Sequence, residues 1–496
     1  MKNLLSAKQM RDADAFTIKN KEITSIDLME SAAQAFVKAF AEEVADHQTS
    51  IAVLCGRGNN GGDGLAVARL LKDKGYQNVF VYVLAFSDKE SAEYKANLTR
   101  LEDLWFPMQT ISKARDLPEL KEEVIIDAIL GSGLNAELNG EYKELAVKVN
   151  AMERKVIAID VPTGFPAEGQ LKENSIYLKA DMVICFERPK INFFFPESAA
   201  ALKHFRVVTI GLDEEFIEQC QSSYHLLEAA DIRALVKPRE LFTHKGTYGH
   251  ALIIAGQQQT MGAALLAARA CLHAGAGLTT VSIPESGLTA LNTSLPEVMY
   301  LDRADLNSKN LQKFNVIAIG PGFGTGKEST EVLKNTFLLN RPLVLDADAL
   351  NIIGNQPDLL EHLPADSVLT PHMKEFDHLF GKHQTWWERL ETARNRAVSL
   401  NCVIVLKNQF TFIIDQSGNV SINSTGNPAM AQGGMGDVLT GLTASFAAQG
   451  YQAKDAAIIA CYVHGRSGDE LAEEHLSVSA SALANRLSQT LKGLIK

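Results

Sequence analysis

The residues best suited to chemistry lie in two glycine-rich stretches far apart in the chain. In the sharper one, Gly433-Gly434-Met435-Gly436-Asp437, successive glycines expose backbone N–H groups. The apolar run after Asp437 reads as a helix. Gly433, Gly434, Met435 and Gly436 would form an anion hole for a phosphoryl group in flight. Asp437, just inside the helix, would take the proton from a substrate hydroxyl. Phosphoryl transfer needs little beyond such positioning and charge neutralisation. The earlier stretch, Gly58-Asn59-Asn60-Gly61-Gly62-Asp63-Gly64, joins a strand to a helix. Its glycines allow positive φ and close approach of a ligand to backbone N–H groups, and the helix N-terminus favours a phosphate. A glycine turn alone is often only a tight turn, but the Asn-Asn-Gly-Gly-Asp core is uncommon and points to a site. Two anion-handling sites in one chain imply two linked activities on a phosphorylated ligand.

Two strand ends add carboxylates. Asp127-Ala128-Ile129-Leu130-Gly131-Ser132-Gly133 and Asp160-Val161-Pro162-Thr163-Gly164 each follow an apolar run. Ligands bind beyond the carboxyl ends of strands in an open parallel sheet, so the loops from Gly58, Asp127 and Asp160 are expected to converge on one crevice. The plainer alternative is that these aspartates only cap helices or turns.

The elements that must position these residues alternate. Continuous apolar runs at 51–55, 79–84, 124–129, 156–160, 183–186 and 207–210 read as strands buried on both faces. Residues 65–74 and 141–153 read as helices between them. Such alternation gives right-handed crossovers in a doubly wound α/β sheet. The pattern lapses after Gly211, and a boundary is expected near 222–225. A second α/β series follows, with strands at 251–255, 279–283, 316–319, 343–345, 367–369 and 403–406. Residues 411–414 and 420–422 read as an antiparallel hairpin, and the C-terminal stretch as helical.

A chain of 496 residues exceeds one hydrophobic core, at roughly 100–200 residues per domain. A net charge of −11, from 48 basic and 59 acidic residues, argues against a nucleic-acid partner. The six cysteines are scattered, with no C-x-x-C pair, so buried free thiols and a reducing, cytoplasmic setting are expected. The N-terminus lacks the apolar core of a signal peptide, and no apolar run is long enough to span a membrane.

In order, G-N-N-G-G-D-G, D-A-I-L-G-S-G and D-V-P-T-G resemble the motifs of the NAD(P)H-hydrate epimerases. The resemblance implies a Rossmann-like domain over residues 1–222 that interconverts the R and S epimers of NADHX and NADPHX, cofactors hydrated at C6 of the nicotinamide ring. It implies potassium held by Asn60, Asp127 and Thr163. It also implies a substrate site of Asn59, Asn60, Gly61, Gly62 and Asp63, with Gly131, Ser132, Gly133, Leu134, Asn135, Ala136 and Glu137, and Asp160 near the reacting ring. Moving a hydroxyl between ring faces needs proton delivery and removal, so Asp160 is the candidate acid/base. Threonine stands at 163 where the family usually has serine, and either supplies a hydroxyl.

The second motif resembles the ribokinase-like superfamily. Met261-Gly262-Ala263, read as a loop, Gly320-Pro321-Gly322, Asp346-Ala347-Asp348 and Thr370-Pro371-His372-Met373-Lys374-Glu375-Phe376 narrow the resemblance to NAD(P)H-hydrate dehydratases using ADP or ATP. This implies a ribokinase-like α/β domain over residues 223–496 that phosphorylates the S epimer and then expels phosphate. By the same resemblance, Ala263, Gly322, His372 and Asp437 contact the hydrated cofactor. Gly436 and Lys407, Asn408, Gln409, Phe410 and Thr411 contact the nucleotide, and Glu375 serves magnesium through water. Asn408-Gln409 departs from the glycine that commonly follows this lysine. Asp346 and Asp348 read equally as substrate-side groups or loop pins. A homo-oligomer is the family expectation. The rival reading is a small-molecule kinase with a non-catalytic N-terminal binding domain.

Overall fold

The computed structural model describes residues 1–133 and 137–495. The chain divides into two compact units: Asn3–Ser222 with Thr385–Trp387, and Met1–Lys2 with Ser223–Gln384 and Glu388–Lys496. Both are α/β with parallel sheets, as the alternation of apolar runs predicts.

The first unit is built on seven parallel strands in the order Met108–Ile111, Val79–Leu84, Ile51–Cys55, Val124–Ala128, Lys155–Ile159, Ala180–Phe186, Leu202–Val208. The central strand Ile51–Cys55 is buried throughout. It pairs with Val79–Leu84 on one side and Val124–Ala128 on the other. The chain order reverses there, so loops leaving the two neighbouring strand ends diverge and open a crevice. The final strand lies at Leu202–Val208 rather than at 207–210, because it is an edge strand most of whose side chains are exposed. An apolar run is the wrong signature for such an edge.

Two helices that the apolar-run reading passes over begin this unit. Ala7–Asn20 opens with a capping box between Ser6 and Gln9, and Ser25–Glu43 with one between Thr24 and Asp27.

The first glycine stretch differs from expectation. The helix Asn59–Asp73 already begins at Asn59, so Asn60 to Asp63 form its opening turns rather than a loop. None of these glycines has positive φ. They are needed for close packing of backbone on backbone. A Cβ at Gly61 would lie 1.8 Å from the Gly56 carbonyl oxygen, and one at Gly64 2.4 Å from Ala128 Cβ.

In the second unit, His250–Ile254 lies between Leu278–Ser282 and Val316–Ile319. Parallel strands Leu343–Leu345, Val368–Leu369 and Val403–Leu406 follow outward. The hairpin Thr411–Ile414 with Val420–Asn423 is antiparallel, as expected. Helices Met435–Ala448, Ala453–Ala472 and Ala480–Ile495 close the chain. Met261 to Ala263 are not a loop but the first turn of the helix Met261–His273. Gly434 does need its glycine: φ is +91°, and a Cβ would stand 2.7 Å from Leu266 Cδ1. All six cysteines are free, and five are buried. Among the described residues no helix is long and apolar enough to cross a membrane.

Candidate functional site

The crevice of the first unit holds a cavity of about 430 Å³. Its wall includes Gly58, Asn59, Asn60 and Asp63 from the opening of one helix and Ile129 to Gly133 from the next strand end, with Asp160 beyond. The three loops named from the sequence therefore do converge. Gly61 and Gly62 are exceptions, because they pack inward against Gly56 and Met29. Glu137 lines an adjoining cavity with Ser132 and pairs with Lys172 at 3.2 Å. Leu134, Asn135 and Ala136 fall outside the described residues. Gly58 caps its helix without a side-chain hydrogen bond, which leaves opening N–H groups for an anion.

Beneath this wall sits Asp127, with no exposed surface. Thr163 donates to it from N–H and from Oγ1, both at 2.7 Å, and Ile129 N–H donates at 3.2 Å. Among the described residues no basic side chain joins these partners. Burial therefore lifts the Asp127 carboxyl to about 6, and the Thr163 and Ile129 hydrogen bonds only partly counter it. Nearby, the Asn60 amide nitrogen is buried without a partner.

Asp160 is held in the left-handed region at φ +64°, a strain that concentrates at functional sites. Phe186 N–H donates to its carboxylate at 3.1 Å, and buried Lys190 pairs with it at 2.7 Å. Sequence reasoning missed Lys190. It also missed Met10, Arg11 and Asp14, which reach the cavity from the helix Ala7–Asn20. The Ser-x-x-Gln capping signal could have located that helix, but not its face.

In the second unit the candidate groups sit at strand carboxyl ends. Asp346 is buried, accepting from Thr370 Oγ1 and Thr440 Oγ1 at 2.8 Å and from Lys407 Nζ at 2.7 Å. It knits three elements together, which goes beyond pinning a loop. Asp348 accepts from Gly324 N–H at 2.7 Å. His372 caps the helix Met373–Phe380, accepting from Lys374 and Glu375 N–H, while Glu375 accepts from His372 N–H at 2.8 Å. Glu375 also stands 3.8 Å from Lys407 Nζ. Thr260 joins the other two substrate candidates: its hydroxyl donates to the Gly322 carbonyl at 2.7 Å, and its own carbonyl accepts from Ala263 N–H.

The helix Met435–Ala448 brings its uncapped N-terminus to this cluster. A Cβ at Gly436 would lie 3.6 Å from Lys407 Nζ and 3.7 Å from Asp346 Oδ2. Burial, then the charges of Asp346 and Asp348, lift the Asp437 carboxyl to about 6 against the pull of Lys407. Beside the cluster is a cavity of about 470 Å³. Lys407, Asn408, Gln409, Thr411, Met435 and Gly436 line it; Phe410, Gly433 and Gly434 do not. The Lys407 ammonium is bound to Asp346. The Asn408 amide nitrogen is buried without a partner. Further wall residues, given no site role from the sequence, are Asn423, Thr425, Gly426, Asn427, Pro428 and Met430, with His464 of the following helix. Burial holds His464 neutral, down to about 4, and its Nε2 contacts the Met435 carbonyl at 3.0 Å.

Comparison with known proteins matches both halves. The profile of the YjeF-related protein N-terminus covers residues 25–192, and that of NAD(P)H-hydrate dehydratase covers residues 251–492. A bifunctional NAD(P)H-hydrate repair enzyme Nnr from Moorella thermoacetica is 33% identical over 99% of this chain and 97% of its own. The chain belongs to the bifunctional NAD(P)H-hydrate repair enzymes. A relative of the same name from Coxiella burnetii is 33% identical over 95% of each chain. A ribokinase-like superfamily protein from Enterococcus faecalis aligns with 55% of this chain and 98% of its own, at 28% identity and TM-score 0.51.

Proposed function

We infer that residues 1–222 epimerise R- and S-NAD(P)HX and that residues 223–496 dehydrate the S epimer with ADP, giving NAD(P)H, AMP and phosphate. Hydration yields both epimers and the dehydratase uses one, so the pair rescues the whole pool. The observation that carries this reading is Asp437 at an uncapped helix N-terminus, within the fields of Asp346 and Lys407. The helix end neutralises phosphoryl charge, and Asp437 takes the proton from the C6 hydroxyl. Phosphate is then a far better leaving group than hydroxide. Asn408 offers a buried donor to the nucleotide. A small-molecule kinase would leave a stable phosphorylated product, whereas this reading requires released phosphate.

An ionised Asp437 is required, so kcat/KM for dehydration is expected to rise with pH through about 6 and level off above it. Initial rates of NADH formation from the S epimer, between pH 5 and 8, check this. A rate independent of pH below 6 would remove Asp437 as the base.

Asp127 supports a cation: a fully buried carboxylate with no basic partner needs compensation. Oxygens of Asp127, Thr163 and Asn60 suit a hard monovalent ion, and the unpartnered Asn60 amide can turn its oxygen inward. Bound potassium would keep Asp127 ionised and fix the wall that meets the substrate. Asn60→Ala is expected to abolish potassium stimulation of epimerisation and to leave dehydration unchanged, read by chromatography of the epimers in potassium against tetramethylammonium. An unchanged potassium response would move the ion elsewhere. Magnesium fits differently. Among the described residues no group of three or more His, Cys, Asp or Glu side chains forms a metal centre, and Glu375 is engaged by its helix cap. Glu375 would meet magnesium through water, with the nucleotide phosphates as main ligands.

A further inference from the structure

The helix Ala7–Asn20 supplies one wall of the first cavity from a single face. Ala7, Met10, Arg11 and Asp14 all line the cavity, and their i, i+3, i+4, i+7 spacing is one helical stripe. The sequence would use such a stripe for the core; here it ends in an arginine and an aspartate. The helix is held at both ends. Gln9 Nε2 donates to the Gln221 carbonyl at 2.7 Å, Asp213 N–H donates to Thr17 Oγ1 at 2.9 Å, and Lys21 Nζ donates to the Gly211 carbonyl at 2.7 Å. Asp14 is therefore positioned by an element pinned to the rest of the unit. It makes no hydrogen bond or ion pair among the described residues.

The cavity is lined by three carboxyl groups, Asp14, Asp63 and Asp160, and by two cations, Lys190 and Arg11. Lys190 is bound to Asp160 at 2.7 Å. Glu187 adds further negative charge toward Asp14, and only Lys190 opposes it. Arg11 forms no ion pair with any of the three among the described residues, and Lys190 alone does not compensate three carboxylates in a confined space, so a proton stays with the unpaired ones. Burial and the neighbouring charge of Asp160 lift Asp14 to about 6, and lift Asp63 well above its ordinary range. The two roles an epimerase needs are then separated: a paired carboxylate ready to accept a proton, and an unpaired carboxyl carrying one.

We propose that Asp14 is a catalytic residue of the epimerisation, the proton donor to the departing C6 oxygen, working opposite Asp160 as the acceptor. This rests on the epimerase reading of the first unit. The Asp14 proton passes to the C6 hydroxyl, the C6–O bond breaks, and water leaves as the ring nitrogen lone pair forms an iminium bond to C6. Water then adds to the opposite face of C6, its electron pair forming the new C–O bond and the iminium electrons returning to nitrogen. Asp160 takes the extra proton. One water leaves and one adds, no electrons are gained or lost, and solvent exchange returns the proton from Asp160 to Asp14. The surplus of carboxyl groups also stabilises the cationic ring between the two steps.

The test uses the full chain with purified R-NADHX in potassium buffer, following the S epimer by chromatography. Asp14→Asn is expected to lower kcat for epimerisation by at least about 100-fold with KM changed less than about threefold, the scale of a lost general acid. It should also erase the fall in kcat/KM expected of the wild type on the alkaline side of the Asp14 titration. Dehydration of S-NADHX is expected to be unchanged and reports that the chain is folded. In Asp14→Ala, formate is expected to restore epimerisation, because a small acid can occupy the vacated space. If Asp14→Asn is poorly folded, Asp14→Ala and its response to formate decide alone. Full activity and an unaltered pH profile in Asp14→Asn, or no response to formate in an inactive, folded Asp14→Ala, would overturn the proposal. A wild-type chain that fails to epimerise would overturn the underlying reading instead.

Discussion

Asp437→Asn is expected to lower NADH formation from the S epimer by about 10³-fold, the range of a lost general base, while epimerisation stays at the wild-type rate. The argument turns on two properties of one carboxyl. It lies just inside an uncapped helix N-terminus, where phosphoryl charge is neutralised, and it shares its surroundings with Asp346 and Asp348. Its proton affinity is therefore raised in the folded state. The sign for stability follows. Ionising a group whose folded pKa is raised works against folding, so Asp437 costs stability as pH rises from its unfolded value toward about 6. Asparagine removes that penalty, and the variant is expected to be as stable as the wild type or more stable, by up to ~3 kcal/mol at neutral pH. Loss of activity with an equal or higher melting temperature distinguishes chemistry from damage. A lower melting temperature with partial activity would mean that Asp437 is a structural residue.

The second large effect is expected at Asp160. Asp160→Asn should lower epimerisation by about 10²–10⁴-fold and leave dehydration of purified S epimer intact. This substitution carries a stability cost that Asp437→Asn does not. The Lys190 ammonium is buried and bound to Asp160, and removing one partner of a buried pair strands the other, at a cost of about 3–5 kcal/mol when the pair is fully enclosed. The pair lines a cavity rather than lying fully enclosed, so the cost here should fall below that. Adding Lys190→Met removes the stranded charge, and the double variant is expected to regain the stability but not the epimerisation. Stability and epimerisation returning together would mean that Asp160 serves the fold alone.

The sequence reveals these two aspartates because each ends a recognisable pattern: a glycine nest before an apolar helix, and an apolar strand before a turn. The same logic finds both sheets, since strands buried on both faces read as unbroken apolar runs. It fails where the physics is not local. Nothing around Asp14 announces a site; it becomes one because the helix is pinned by Gly211 and Gln221, some two hundred residues away in sequence. Lys190 follows no glycine loop and is identified only by its contact with Asp160. The glycines near Asn60 suggest freedom for the backbone, whereas Gly61 and Gly64 answer to crowding by Gly56 and Ala128. A local pattern shows that glycine is needed but not which atom would collide. The wall that Asn423, Thr425 and Asn427 share with His464 in the second cavity depends in the same way on a helix arriving from later in the chain.

The most direct measurement supplies the purified chain with a fresh mixture of R- and S-NADHX, ADP and magnesium in potassium buffer. NADH absorbance is followed while the epimers are separated at short times. Consumption of both epimers faster than spontaneous epimerisation, with phosphate released in step with NADH, is the predicted result. Loss of the S epimer alone would contradict an active first unit, and no NADH with either ADP or ATP would contradict the repair function as a whole.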